Sequence, residues 1–229
     1  MHPRRWLLAR TRRRIAARFL SGQGIEIGAL HNPFPVPAGA RVRYLDRRTT
    51  AQLREDYPEL GAEPFAEVEI VDDGETLATV PDESQDFVVA SHVLEHTQDP
   101  IGALRHQLRV VRPGGVVLLA LPDRRTGIDE RRAPTPLEHL LADHEDGGAG
   151  SREAHYREWS ELVDLPLGFV AADDVEAHAA QLERGGYSIH FHCWTLEELL
   201  AQLPAFALPA DVVAARKNRH EFLVALRRR

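Results

Sequence analysis

The sequence predicts an α/β fold around a mostly parallel sheet, from three observations. Strand and helix patterns alternate over the first 123 residues, Val116–Leu121 is an unbroken apolar run, and the first two strands each end at an acidic residue. An uninterrupted apolar strand is the mark of a sheet covered on both faces. Carboxylates at parallel strand ends mark a ligand site, because open α/β sheets bind beyond those ends.

The elements follow in order. Residues 1–20 carry seven arginines and no acid, with Trp6, Leu7, Leu8, Ile15, Ala16, Phe19 and Leu20 interspersed. This reads as an amphipathic basic helix over 1–22, packing its apolar stripe on the body or offering its basic face to a partner protein, a second copy or a membrane surface. Ile25–Gly28 ends strand one and Arg41–Leu45 forms strand two. A short helix over Thr50–Tyr57 precedes strand three, Ala66–Val71. Asp86–Ala90 is strand four, and a helix over Ile101–Val111 stops at Arg112-Pro113-Gly114-Gly115 before strand five. Proline ends that helix and the glycines permit positive φ.

Residues 124–190 lose this regularity and are too long for a simple crossover, so they read as an insertion or lid near the active edge of the sheet. Within them Val175–Arg184 is helical and Ser188–His192 has strand character. Thr195–Leu203 opens with a capping box, Thr195 and Glu198. Asp211–Ala215 and Glu221–Arg227 close the chain as two strands joined by a short turn. The expected organisation is one domain: helix 1–22, core 23–123, lid 124–190 and C-terminal elements 191–229.

Composition narrows the function. The net charge is −7, and outside the arginine-rich first 20 residues the chain sums to −14, so nucleic acid is not expected as a partner of the body. No apolar run approaches ~18 residues, which argues against a membrane span. The lone Cys193 forms no internal disulfide, in keeping with a cytoplasmic protein.

Asp46 lies 20 residues after Glu26 and 18 after Gly28, the spacing of a carboxylate that accepts hydrogen bonds from ribose hydroxyls. The GxGxxG that would hold a pyrophosphate is absent. Instead Gly28-Ala29-Leu30-His31-Asn32 runs into Pro33, Pro35 and Pro37, which cannot begin a phosphate-binding helix. The expected ligand is a nucleoside without phosphates.

In that order GIEIGAL, YLD, VDDGETL, DFVVASHVLEH and LRVVRPGGVVLLALPD, spanning Gly24–Asp123, resemble a class I S-adenosylmethionine-dependent methyltransferase of the small-molecule, type 11-like kind. The resemblance implies a Rossmann-like, mostly parallel seven-stranded sheet with an antiparallel C-terminal hairpin and an inserted lid after strand five. It implies S-adenosylmethionine as cofactor, held by Glu26 and Gly28 at the first turn, Asp46 at the ribose, Asp72 or Asp73 beside the adenine, and Ser91 with His92 near the methionine end. The sequence departs from the family in having Gly28-Ala29-Leu30 for GxG and prolines where a helix normally starts.

The expected activity is methyl transfer to an oxygen or nitrogen of a small metabolite or natural-product intermediate. Alternatives are a different displacement at the sulfonium, or a non-catalytic scaffold with the same fold. A base is needed only if the acceptor must lose a proton, and histidine suits neutral pH. His92, His190 and His192 are the catalytic candidates, while His31, Asn32, Arg124 and Tyr156 are candidates for holding the substrate. Alternation would place His190 and His192 on one side of a strand, a polar rim or structural pair. With Asp123, Glu138 or Asp143 the pair also suggests zinc or iron, although no metal is assigned on this basis. Arg124, Arg125, Arg131 and Arg132 suit an acidic substrate or a solvated loop.

Overall fold

The structure, a computed structural model, describes residues 3–229, with side chains from residue 9 onward. The expected contributions of Arg4, Arg5, Trp6, Leu7 and Leu8 lie outside the described side chains.

Helix α1 (Pro3–Phe19) leads into β1 (Gly22–Ile27), β2 (Ala40–Asp46), α2 (Thr50–Asp56), β3 (Val68–Val71), β4 (Gln85–Ser91), α3 (Pro100–Val110) and β5 (Val111–Pro122). Then come α4 (Leu137–Asp146) and α5 (Arg152–Trp159), which continues through a π-helical turn into the short α6 (Leu165–Leu167). Next are α7 (Val175–Gly185), α8 (Leu196–Gln202), β6 (Ala210–Asn218) and β7 (Glu221–Arg228). The strands form one sheet in the order β3-β2-β1-β4-β5-β7-β6. β1 to β5 run parallel, and β7 and β6 add as an antiparallel hairpin. This is the Rossmann-like architecture expected.

Strand alternation divides the core. Val88, Ala90, Val117, Leu119, Phe222 and Val224 face one layer, closed by Ile101, Leu104 and Leu108 of α3 and Leu196 and Leu199 of α8. Phe87, Val89, Val116, Leu118, Leu223 and Ala225 face the other, closed by Ile15, Ala16, Phe19 and Leu20 of the N-terminal segment. Successive side chains point to opposite faces, so a run apolar at every position must be covered twice. Gly24 permits the tight β1–β4 contact: a Cβ there would lie 2.4 Å from the Phe87 carbonyl oxygen.

The basic N-terminal helix therefore packs on the body. Arg12 is buried and donates to Glu221 at 3.0 and 2.6 Å, while Arg13, Arg14 and Arg18 are exposed. Among the described residues no helix is long and apolar enough to cross a membrane.

The proline-rich stretch after β1 forms no helix, as its composition requires. Two local expectations need correction. SHVLEH, whose sequence reads as the start of a helix, forms only a single 3₁₀ turn, Leu94–His96. Ser188–His192 is extended but joins no strand: the backbone N–H groups of Phe191 and His192 donate to the Glu95 carbonyl at 2.7 and 3.3 Å, and Arg132 donates to the carbonyls of His190 and Phe191 at 2.8 and 3.0 Å. A buried guanidinium replaces a neighbouring strand. Residues 124–190, with Phe191 just beyond them, carry a small core of Tyr156, Trp159, Val163, Ala179, Ile189 and Phe191.

Candidate functional site

A cavity of about 400 Å³ opens at the carboxyl ends of β1, β2 and β4. Its volume falls in the range of roughly 300–1,000 Å³ usual for small-molecule sites. Ile27, Gly28 and Leu30 form one wall, Asp46, Arg47 and Tyr57 a second, Asp73, Gly74 and Glu75 a third, and His92, Val93, His96, Thr97 and Ser188 the fourth.

Each wall follows from its strand. Gly28 leaves β1 with φ +65°, and a Cβ on it would come within 3.3 Å of Val93, so glycine keeps the turn open to the cavity. Asp46 ends β2. Burial raises its pKa, outweighing the N–H groups of Arg47 and Arg48 that stabilise the charge. Of the two adjacent acids after β3, Asp73 lines the cavity, whereas Asp72 turns away and accepts from the Thr79 backbone and hydroxyl at 2.7 Å each. Burial also raises Glu75, against hydrogen bonds from the Gln98 and Asp99 backbone.

The first-motif carboxylate lies behind this wall. Glu26 is fully buried, its Oε1 accepts from the Phe34 N–H at 2.8 Å, and its Oε2 has no hydrogen-bond partner. Burial lifts its pKa to about 8 despite Phe34 and Arg12. Glu26 thus fastens the proline-rich loop rather than lining the cavity.

At the end of β4, Ser91 remains in the sheet and the lining begins with His92, whose φ is +56°. Burial would lower the His92 pKa, but contacts with Glu221 (3.2 Å) and Glu95 (3.4 Å) dominate and raise it to about 9. His92 is therefore a fixed cation near neutral pH, which removes it as a base. Glu221, also bound by Arg12 and Asn218, is held down at about 2 against its burial.

His96 differs. Burial lowers its pKa, and its Nδ1 lies 2.8 Å from the Ile189 carbonyl. A carbonyl only accepts, so Nδ1 carries the proton and Nε2 keeps the lone pair. Glu95, His96 and His190 bring one carboxylate and two imidazoles within 4.8 Å of one another.

The remaining candidates lie elsewhere. His190 pairs with Asp129 at 2.7 Å, and His192 is fully buried beside His139, Asp143 and His155. Without strand pairing the two rings serve different carboxylates. His31 and Asn32 are exposed and outside the lining. Tyr156 is buried and donates its hydroxyl to the Tyr187 carbonyl at 2.9 Å. Arg124 is taken by the Arg132 carbonyl and Glu198, Arg125 by Asp123, and Arg132 by Asp129 and Glu158. Sequence reasoning missed Arg47, Tyr57, Glu75, His96, Thr97 and Ser188. A signal was available for three of them, since Arg47 follows the YLD segment and Glu75 and His96 lie within VDDGETL and DFVVASHVLEH.

The lining fits S-adenosylmethionine on its own chemistry. Asp46, Asp73 and Glu75 oppose a phosphate but suit a ligand carrying a ribose diol, an ammonium and a sulfonium. Asp46, desolvated and held only by backbone N–H groups, has the acceptor capacity for a diol.

Comparison with known proteins agrees. Residues 2–162 match a family described as a methyltransferase domain. The chain is 30% identical over 190 residues to a protein of Mycolicibacterium smegmatis named as a probable S-adenosylmethionine-dependent methyltransferase; the match covers 80% of this chain and 65% of that relative's length. Among solved structures, a SAM-dependent methyltransferase from Aquifex aeolicus superposes with a TM-score of 0.51 at 13% identity, covering 98% of this chain and 93% of the other. One from Thermotoga maritima gives 0.50 at 15% identity, covering 98% and 94%. These two show the fold alone. With the sequence match over most of its length and the carboxylate-lined cavity at its strand ends, the chain belongs to the class I S-adenosylmethionine-dependent methyltransferases.

Proposed function

We propose that this protein transfers a methyl group from S-adenosylmethionine to an oxygen or nitrogen of a polar small molecule. The observation that carries the reading is a single cavity lined both by a ribose-type carboxylate, Asp46, and by a neutral imidazole, His96. S-adenosylmethionine supplies an electrophilic methyl on a sulfonium. Asp46 accepts from the ribose hydroxyls, Asp73 borders the adenine, and the Gly28 turn receives the methionine part. His92, fixed as a cation by Glu95 and Glu221, suits the methionine carboxylate.

The bound cofactor would supply its methyl to the acceptor's lone pair with loss of the sulfur as a thioether, and His96 Nε2 would take up the acceptor's proton. Acceleration comes chiefly from alignment in a site shielded from water. Segment 124–190 supplies that shield as a lid, contributing Ser188 to the lining.

A second cavity of about 590 Å³, lined by Arg48, Gln52, Asp56 and Tyr187 among others, shares Arg47, Tyr57 and Ser188 with the first. It offers the acceptor an approach bearing arginines and an exposed aromatic ring. In this reading Arg47, Tyr57 and Tyr187 take the substrate-holding role expected of His31, Asn32, Arg124 and Tyr156.

Incubation with methyl-labelled S-adenosylmethionine and fractionated metabolite extract tests the proposal. Labelled product with equimolar S-adenosylhomocysteine is expected. Release of methylthioadenosine would replace methyl transfer by another displacement, and tight cofactor binding without turnover on any fraction would favour a scaffold.

A further inference from the structure

Beyond the cofactor cavity, four metal-ligating side chains converge inside segment 124–190 and its junction with the C-terminal elements. His139 and Asp143 stand one turn apart on α4, His155 comes from α5, and His192 from the extended stretch before α8. Asp143 Oδ2 is 3.2 Å from His139 Nε2, 3.5 Å from His155 Nε2 and 3.5 Å from His192 Nε2. The Nε2 atoms of His139 and His155 are 3.0 Å apart. Four ligands at bonds of about 2.0–2.2 Å around a tetrahedral ion stand roughly 3.3–3.6 Å from one another. These separations, 3.0 to 3.5 Å, lie within that range or slightly below it.

Hydrogen bonding points the same way. Asp143 Oδ1 accepts from the Ser151 hydroxyl at 2.5 Å, whereas Oδ2, buried and facing the three imidazoles, accepts no hydrogen bond. The Asp143 side chain is only 3% exposed and that of His192 is fully buried. Such a group is expensive to leave unpaired. One carboxylate oxygen fixed by a hydroxyl and the other aimed at a cluster of nitrogens is the arrangement of a ligand with an orienting partner.

We propose that His139, Asp143, His155 and His192 form a structural site for a divalent transition-metal ion, best matched to Zn²⁺. Three imidazoles and a carboxylate suit zinc, and four protein ligands close the coordination sphere, as in structural rather than catalytic sites. His192 Nε2 also lies 3.3 Å from the Gln98 carbonyl. That contact is a hydrogen bond only with the proton on Nε2, and metal binding moves the proton to Nδ1, which is unpartnered.

The ion would tie α4 and α5 to the residues beside the cavity, since Gln98 also donates its backbone N–H to Glu75 at 3.1 Å. The nearby Glu95–His96–His190 group serves as a control: it offers three ligands, one short of a closed tetrahedral site.

The test is metal analysis of the purified full-length chain, followed by chelator stripping and reloading with Zn²⁺ or Co²⁺ alone. About one zinc per chain is expected, with a melting temperature that falls on stripping and recovers on Zn²⁺ addition. Co²⁺ loading should give the intense visible absorption of tetrahedral coordination. Asp143→Asn and His155→Gln should each retain less than about a tenth of the metal and lose the Co²⁺ spectrum, while His96→Gln keeps both. A stripped wild type whose melting temperature and spectrum ignore Zn²⁺ and Co²⁺ overturns the proposal. So does metal retained in Asp143→Asn and lost in His96→Gln. If the Asp143 and His155 variants fail to fold, the wild-type stoichiometry and Co²⁺ spectrum decide alone.

Discussion

Residues 23–123 and residues 124–190 are built on different physics. In the first, alternate strand positions fill two apolar layers, and carboxylates are confined mainly to strand ends, where the cavity opens. In the second, five residues and the adjoining Phe191 make the apolar core, and Asp129, Arg132, Asp143, His155, Asp164 and His190, with the adjoining His192, are buried around it. Apolar burial is non-directional and stabilises any arrangement that excludes water. Buried charges demand specific partners, so the second region has its geometry set by ion pairs and imidazoles.

The sharpest way to break this contrast lies at the buried ion pair that ties α1 to β7 beside the apolar layers. Arg12→Ala strips Glu221, fully buried, of its bidentate partner. Losing one member of a buried pair costs about 3–5 kcal/mol. Urea unfolding should show that loss, while Arg13→Ala, exposed on the same helix, should stay within about 0.5 kcal/mol. An Arg12→Ala variant as stable as the parent would mean that the polar tie between α1 and the wall of the site is dispensable.

Next in size is the imidazole wall. His96→Gln should lower turnover by roughly 10²–10⁴, the usual contribution of a general base, with cofactor affinity nearly unchanged. The pH–rate profile should lose its acidic limb. Loss of affinity with an intact profile would instead make His96 a packing residue.

A smaller effect tests Glu26, a fully buried acid within residues 23–123. Glu26 is raised from its ordinary 4.5 to about 8 by burial. Between those values the folded chain retains a proton that the unfolded chain has released, so stability falls as pH rises through that window. Glu26→Gln abolishes this contribution. Its stability relative to the parent should climb from pH 4.5 to 8 and be flat below. A constant difference across that range would place the ionised carboxylate in a better environment than the geometry shows.

The same contrast explains what was legible in the sequence. Unbroken apolar runs identified strands four and five, although Arg112–Gly115, expected as a turn before strand five, lies inside β5 as an irregularity in its pairing with β4; the spacing of Gly28 and Asp46 located two walls of the cavity, because period and spacing are local properties. Thr195 and Glu198 form the capping box that their spacing indicates. What could not be read was which polar residues meet across the chain. Arg132 looked available to a substrate but is consumed by Asp129, Glu158 and two backbone carbonyls. His190 and His192 resembled a strand pair until Glu95 and Arg132 took up the intervening backbone groups. His92 is a cation because Glu221 arrives from 129 residues away, which no local pattern encodes.

The central claim is that the cavity at the ends of β1, β2 and β4 holds S-adenosylmethionine through Asp46. Calorimetric titration of the cofactor into the wild type and into Asp46→Ala tests it directly. Saturable one-site binding is expected in the wild type, weakened about 10–100-fold in the variant by loss of hydrogen bonds to a charged acceptor, with melting temperature unchanged. No heat in the wild type, or equal affinity in both proteins, would contradict the account.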